Sequence, residues 1–188
     1  VKRATVPIFC LPLAVLFGAG PAEYRAVQHK FDLIESGALK PGSRIELTPA
    51  ELNAYIEHQV PLVTGGVRQP HVALLRPETA QATALINFAE VRRSQGNPPG
   101  WLMSHLLEGE RPVSVTARIR SSGGQATVDV MSVQISGVTI DGRTLDFLIQ
   151  HFLLPLYPDA VVGRPFDLGD HIEKVDVQPS GVGVLIGR

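Results

Sequence analysis

Thiols are almost missing from this chain, for Cys10 is the only cysteine in 188 residues. A disulfide framework is therefore excluded, and so is a zinc site built on several cysteines. Runs of basic charge are also missing. With 17 Lys and Arg against 18 Asp and Glu the net charge is −1, which argues against nucleic acid and against strong attraction to anionic headgroups. No uninterrupted apolar run reaches the roughly 20 residues that span a bilayer. The longest, "VPIFCLPLAVLFGAG" (6–20), is broken by Pro7 and Pro12. Repeats and low-complexity tracts are absent, so one domain is the expectation for this length.

The catalytic signatures are missing too. His29, His58, His71, His105, His151 and His171 form no HExxH or HxH pattern, so they carry no metal-ligand spacing. "SGVTIDG" and "PSGVGVLIG" are glycine-rich but match neither a phosphate-binding loop nor a dinucleotide fingerprint, and no GxSxG elbow offers an esterase serine. Asp141, Asp146, Asp159, Asp167, Asp170 and Asp176 have turn-type neighbours, where aspartate serves the backbone. No catalytic residue, cofactor or metal site is assigned, and the chain is read as a non-enzyme.

What is present begins with residues 1–22. Lys2 and Arg3, the apolar run and the small-residue junction "GPA" follow the order of a secretory signal peptide, with cleavage expected after Ala22. An uncleaved anchor or a buried helix are the alternatives. The residue before Cys10 is Phe9, not the small residue of a lipoprotein site. Without Lys2 and Arg3 the net charge of −1 becomes −3. Residues 23–188 would then fold as a single exported domain, periplasmic or extracellular, that relies on its hydrophobic core.

Tyr24, Val27, Phe31 and Ile34 recur at helical spacing up to Gly37, and "RIELT" (44–48) reads as a short strand. Thr48, Pro49 and Glu51 carry a capping box with proline at the first helical position, opening a helix that Pro61 is expected to stop. "VRQPHVALLRP" (67–77) and "AQATALINFAEVRR" (80–93) read as a hairpin, with Ala84, Ile86 and Phe88 on one face. In "RPVSVTARIRSS" (111–122), Val113, Val115, Ala117 and Ile119 alternate with polar residues. In the run 126–140 the phase slips between Val130 and Val133, which predicts a bulge near Met131–Ser132. The C-terminus reads as a hairpin turning at Ser180–Gly181. The fold expected is α+β: a long curved antiparallel sheet wrapped around or packed on one main apolar helix, with two or three further helices.

That helix is read in "LDFLIQHFLLPLYP" (145–158), starting near Gly142 and ending before Pro155 or Pro158. Phe147, Leu148, Ile149, Phe152, Leu153 and Leu154 leave it no polar side, unlike a surface helix with one apolar stripe. It is either the buried centre of the domain, the lining of an apolar cavity, or a docking element. "WLMSHLLEG" (101–109) poses a similar choice between a core cap and a lipid or partner contact through Trp101, Leu102 and Met103.

Three stretches, "LTPAELNAYI" (47–56), "SGVTIDGRTLDFLIQHFLLP" (136–155) and "PFDLGDHIEKVDVQPSGVGV" (165–184), in this order resemble small bacterial envelope proteins related to the tubular lipid-binding (TULIP-like) superfamily. The resemblance covers roughly residues 43–188 and rests on pattern and order. It implies a helix held against a strongly curved sheet, a trough between them for acyl chains, and no catalytic residues. Joined to the apolar helix, it suggests an exported carrier or sensor of a lipid-like ligand in the cell envelope. Phe88, Val130, Phe147, Leu148, Phe152 and Leu153 are the candidate lining, and peripheral membrane contact is a further candidate. The competing expectation is a structural or adaptor domain that uses its apolar segments for core and protein contacts.

Overall fold

The computed structural model describes residues 20–63, 65–94, 109–140, 142–153 and 162–187, and of Leu148, Phe152 and Leu153 the backbone alone. Helix α1 spans Pro21–Glu35. Pro21 stands at its start, and the Glu23 carboxylate accepts from the Gly20 amide at 3.0 Å. Strand β1 (Arg44–Leu47) leads into helix α2 (Pro49–Val63). The capping box is present: Glu51 accepts from the Thr48 amide at 2.8 Å, and Thr48 Oγ1 accepts from the Glu51 amide at 3.2 Å. Pro61 does not stop α2, which continues through Val63. So close to the end of the helix, the missing proline N–H forfeits a single helical bond.

Strands β2 (Val67–Arg76), β3 (Thr79–Ile86), β4 (Arg111–Ser122), β5 (Gln125–Ile135) and β6 (Val138–Ile140) pair antiparallel in chain order. A sixth strand, β7 (Phe166–Asp167), pairs with the start of β5. The expected bulge is present: Thr116 faces Ser132 and Ala117 faces Val130, so Met131 is the extra residue.

Two of the expected strands are corrected. The strand expected over 80–93 ends at Ile86, and helix α3 (Phe88–Ser94) follows it. Asn87 makes the break, because its Oδ1 accepts from the Glu90 amide at 3.2 Å as an N-cap does. Phe88 therefore opens a helix and does not face the sheet from a strand. Likewise 126–140 is two strands, because Ser136 and Gly137 both have positive φ (52° and 80°) and turn β5 back into β6.

The three remaining strands form a second sheet, where one continuous sheet was expected. Its order is β1, β9 (Gly181–Ile186), β8 (Ile172–Gln178), and the predicted C-terminal hairpin joins the last two. The outer edge of β8 is closed by turns of the larger sheet. The Glu78 amide donates to Val177 O (2.9 Å) and the Gly124 amide to Glu173 O (2.9 Å). Between them Ser121 Oγ donates to Val175 O at 2.6 Å and accepts from the Val175 amide at 2.7 Å. A serine side chain thus pairs with β8 as a strand backbone does.

The core lies where α1 and α2 meet this small sheet. Val27, Ile34, Leu47, Val177, Val182, Val184 and Ile186 are buried together, with Tyr24, Phe31, Leu52 and Tyr55 packed around them. From the larger sheet Leu74 and Ile119 join this cluster. Lys30 of α1 ties the layers, donating to both Glu51 carboxylate oxygens (2.7 and 2.8 Å) and to Glu46 O (2.6 Å).

Candidate functional site

In an antiparallel ladder directly opposed residues share a face. The register therefore places Val72 and Leu74 of β2, Ala80, Ala82 and Ala84 of β3, and Val113, Val115, Ala117 and Ile119 of β4 on one side. Val128, Val130, Val133 and Ile135 of β5, with Val138 and Ile140 of β6, continue it. The opposite face carries Gln81, Thr83, Ser114, Thr116, Arg118, Arg120, Thr127, Asp129 and Gln134. There Gln81 donates to Thr116 (3.2 Å) and Arg120 to Asp129 (2.6 Å). One side of the sheet is apolar and the other polar, which fits a sheet wetted on one face.

The core covers only part of the apolar face. Leu74 and Ile119, near the β8 end, pack against the core cluster. Further along, Ala82 is exposed and Ala84, Val113, Val115 and Ile135 are half-buried. The alanine column of β3 runs between the larger Val72 and Leu74 of β2 and the valines of β4, and so forms a floor lower than its neighbours. Helix α2 packs along β2 at one border. Asn53 fixes that border. Its Nδ2 donates to Val72 O (2.9 Å) and Pro49 O (2.9 Å), and its Oδ1 accepts from the Val72 amide (2.7 Å). Strand β6 is the other border, and helix α4 (Gly142–Leu148) follows it in the chain, prolonged by a π turn over Ile149–Leu153. On it Phe147 stays 48% exposed, its ring stacked on His151 at 4.2 Å, while His151 Nδ1 lies 3.0 Å from Phe147 O.

Polar chemistry elsewhere serves mostly the fold. His58 stacks on Tyr24 at 4.1 Å, and the Tyr24 hydroxyl accepts from Gln28 and Gln59, each at 3.0 Å. Burial works against the Glu51 carboxylate, but Lys30 and Thr48 outweigh it and hold the group below the usual carboxyl range. Burial raises the Tyr55 phenol, and Glu35 and Tyr24 add to the shift. A polar groove of about 920 Å³ is lined by Glu35, Asp167, Asp170, His171 and Glu173. A second depression, about 340 Å³, includes Thr83, Leu85, Pro112, Ser114 and Gln134. Among the described residues no three His, Cys, Asp or Glu side chains gather as a metal site.

The sequence-derived candidates fall on separate elements. Val130 lies on the apolar face opposite Ala117, Phe88 opens α3, and Phe147 sits on α4. None of the three lines either depression. Leu148, Phe152 and Leu153 belong to α4 and its π turn, with side chains outside the described set. Trp101, Leu102 and Met103 lie outside the described residues altogether. Sequence reasoning missed the alanine floor, Ala80, Ala82 and Ala84. Their period-two spacing was visible, but alanine carries too little apolar surface to mark a binding face by itself. The chain matches no family model, no curated protein and no solved structure.

Proposed function

We propose that the protein is an exported, non-enzymatic carrier or sensor of a lipid-like apolar ligand, held on the uncovered part of the apolar sheet face. The observation that carries this reading is the exposure of Ala82 on β3, beside the edge strand, on a face made of Ala, Val, Leu and Ile. A domain using this face only for its own core has no reason to leave this stretch of β3 open. The small residues of β3 accommodate an extended chain between β2 and β4. On this reading helix α4, which follows β6 and carries the exposed Phe147, adds an apolar wall for the ligand. The alternative, an adaptor domain, uses the same face for a protein segment.

Burying one methylene contributes about 0.8 kcal/mol. Some ten methylenes on this face give about 8 kcal/mol before the costs of association and of ordering the chain, so net binding is weaker than the roughly micromolar level that about 8 kcal/mol alone would give. Purified full-length protein should therefore enhance the fluorescence of an apolar probe such as N-phenyl-1-naphthylamine, and palmitate should displace it. Ala82→Glu puts a charge on the floor at an exposed position that the fold tolerates. It should weaken probe binding at least about tenfold. Equal binding by wild type and Ala82→Glu, with the fold intact by circular dichroism, rejects this site.

A further inference from the structure

The end of the large sheet away from β8 combines apolar exposure with positive charge. Leu62 and Val63, in the last turn of α2, are 71% and 64% exposed, and Val138 at the start of β6 is 63% exposed. These are the three most exposed large aliphatic side chains among the described residues. The pairing brings them to one end. Val67 pairs with Ile86 and Ile86 with Arg111, while Val113 pairs with Ile135 and Ile135 with Val138. Helix α3 is tied to the same place. The Asn87 amide donates to Gly66 O at 2.7 Å, and Gly66 (φ +85°) leaves no room for a side chain against Asn87 O and the Val91 amide. Leu62 and Val63 thus mark one corner and Val138 the other. Five strands at about 4.8 Å spacing set them about 20 Å apart.

Arginines stand between those corners: Arg68 on β2, Arg92 and Arg93 in the last turn of α3, and Arg111 on β4. Among the described residues the acids at this end are Glu90 and Glu110, and Glu110 pairs with Arg68 at 2.9 Å. The groove lined by Glu35, Asp167, Asp170 and Glu173 lies at the other end of β4, beside Gly123 and Gly124. Strand β4 separates the two ends by about 35 Å. The near-neutral whole-chain charge therefore conceals a cationic, apolar-cornered end and an acid-lined groove at the opposite end.

We infer that this end is a docking surface for an anionic lipid bilayer, with Leu62, Val63 and Val138 entering the interface and Arg93 and Arg111 facing the headgroups. Charge complementarity selects the occupant: exposed aliphatics with arginines between them suit an interface that is apolar below and anionic above. The acid-lined groove at the far end is repelled by the same surface and so orients the molecule. The surface is distinct from the alanine floor and does not rest on ligand binding there.

The test is flotation of the full-length protein with vesicles of phosphatidylcholine alone or with about one-third phosphatidylglycerol. Wild type should prefer the anionic vesicles. R93E/R111E should lose that preference, with binding reduced about tenfold, and L62S/V63S should weaken binding to both vesicle types. Both variants should bind the apolar probe normally, and Ala82→Glu should float as wild type does. Residues 1–22 are common to every variant, so unchanged flotation of both double variants overturns the inference. An environment-sensitive dye on a cysteine at position 62, in a C10S background, should shift to the blue with anionic vesicles. The same dye at position 122, at the far end of β4, should not. A shift at 122 without one at 62 also overturns the inference.

Discussion

Asn53→Ala is the sharpest test of how the domain holds its open sheet. Asn53 is buried, 8% exposed, and its amide group occupies both backbone polar groups of Val72 on the edge strand β2. Alanine removes those two bonds together with the bond to Pro49 O. Val72 is half-buried, so water replaces part of what is lost. An unsatisfied buried group costs about 1–3 kcal/mol, and with partial hydration of two groups the expected loss is about 3 kcal/mol. For a chain of this size that is about 6–12 °C in Tm. Urea unfolding followed by circular dichroism should show a lower midpoint with an unchanged slope, since the surface exposed on unfolding is the same. Asn53→Asp should be at least as damaging at neutral pH. Its carboxylate can accept from the Val72 amide but then faces the carbonyls of Val72 and Pro49 without a donor. Protonation restores a donor, so the Asn53→Asp deficit should shrink as pH falls while the Asn53→Ala deficit does not. A loss below about 0.5 kcal/mol for Asn53→Ala, the range of ordinary surface changes, would show that α2 does not seal this edge. The free edge should also make Asn53→Ala more prone to self-association.

Two more predictions concern the joints of the fold. Ser121→Ala unpairs the amide and carbonyl of Val175 where the two sheets meet. It should cost about 1–3 kcal/mol and speed hydrogen exchange at Val175 ahead of global unfolding. The Glu51 carboxyl lies below its usual range in the folded protein, so its stabilising contribution is complete above the unfolded carboxyl pKa of about 4.3. That contribution is lost as pH falls from there through the folded value. Wild type should therefore lose stability between about pH 5 and 3 more steeply than Glu51→Gln, in which nothing titrates at this position. Parallel acid curves for the two proteins would mean that the Lys30–Glu51 pair adds nothing to stability.

Local patterns determined much of the molecule. The capping box at Thr48–Glu51, the helical spacing of Tyr24, Val27, Phe31 and Ile34, the alternation in 111–122 and the phase slip at Met131 all act within a few residues, so composition and spacing were enough to read them. The ends of β3 and β5 were not legible in the same way. Asn87 breaks one strand because it caps α3 while Gly66 crowds in from β2, and Ser136–Gly137 folds the other back on itself. Tertiary structure alone decided that the strands divide into two sheets, since the second sheet depends on β1 pairing with the distant β9, Leu47 opposite Val182. It alone decided that the apolar face of β3 and β4 runs past the core and leaves Ala82 open, because how far a helix covers a sheet depends on the packing of distant elements. The grouping of Leu62, Val63, Val138 and the arginines at one end has the same origin. Strand register carries residues distant in the chain to a common edge, and net charge retains no trace of it.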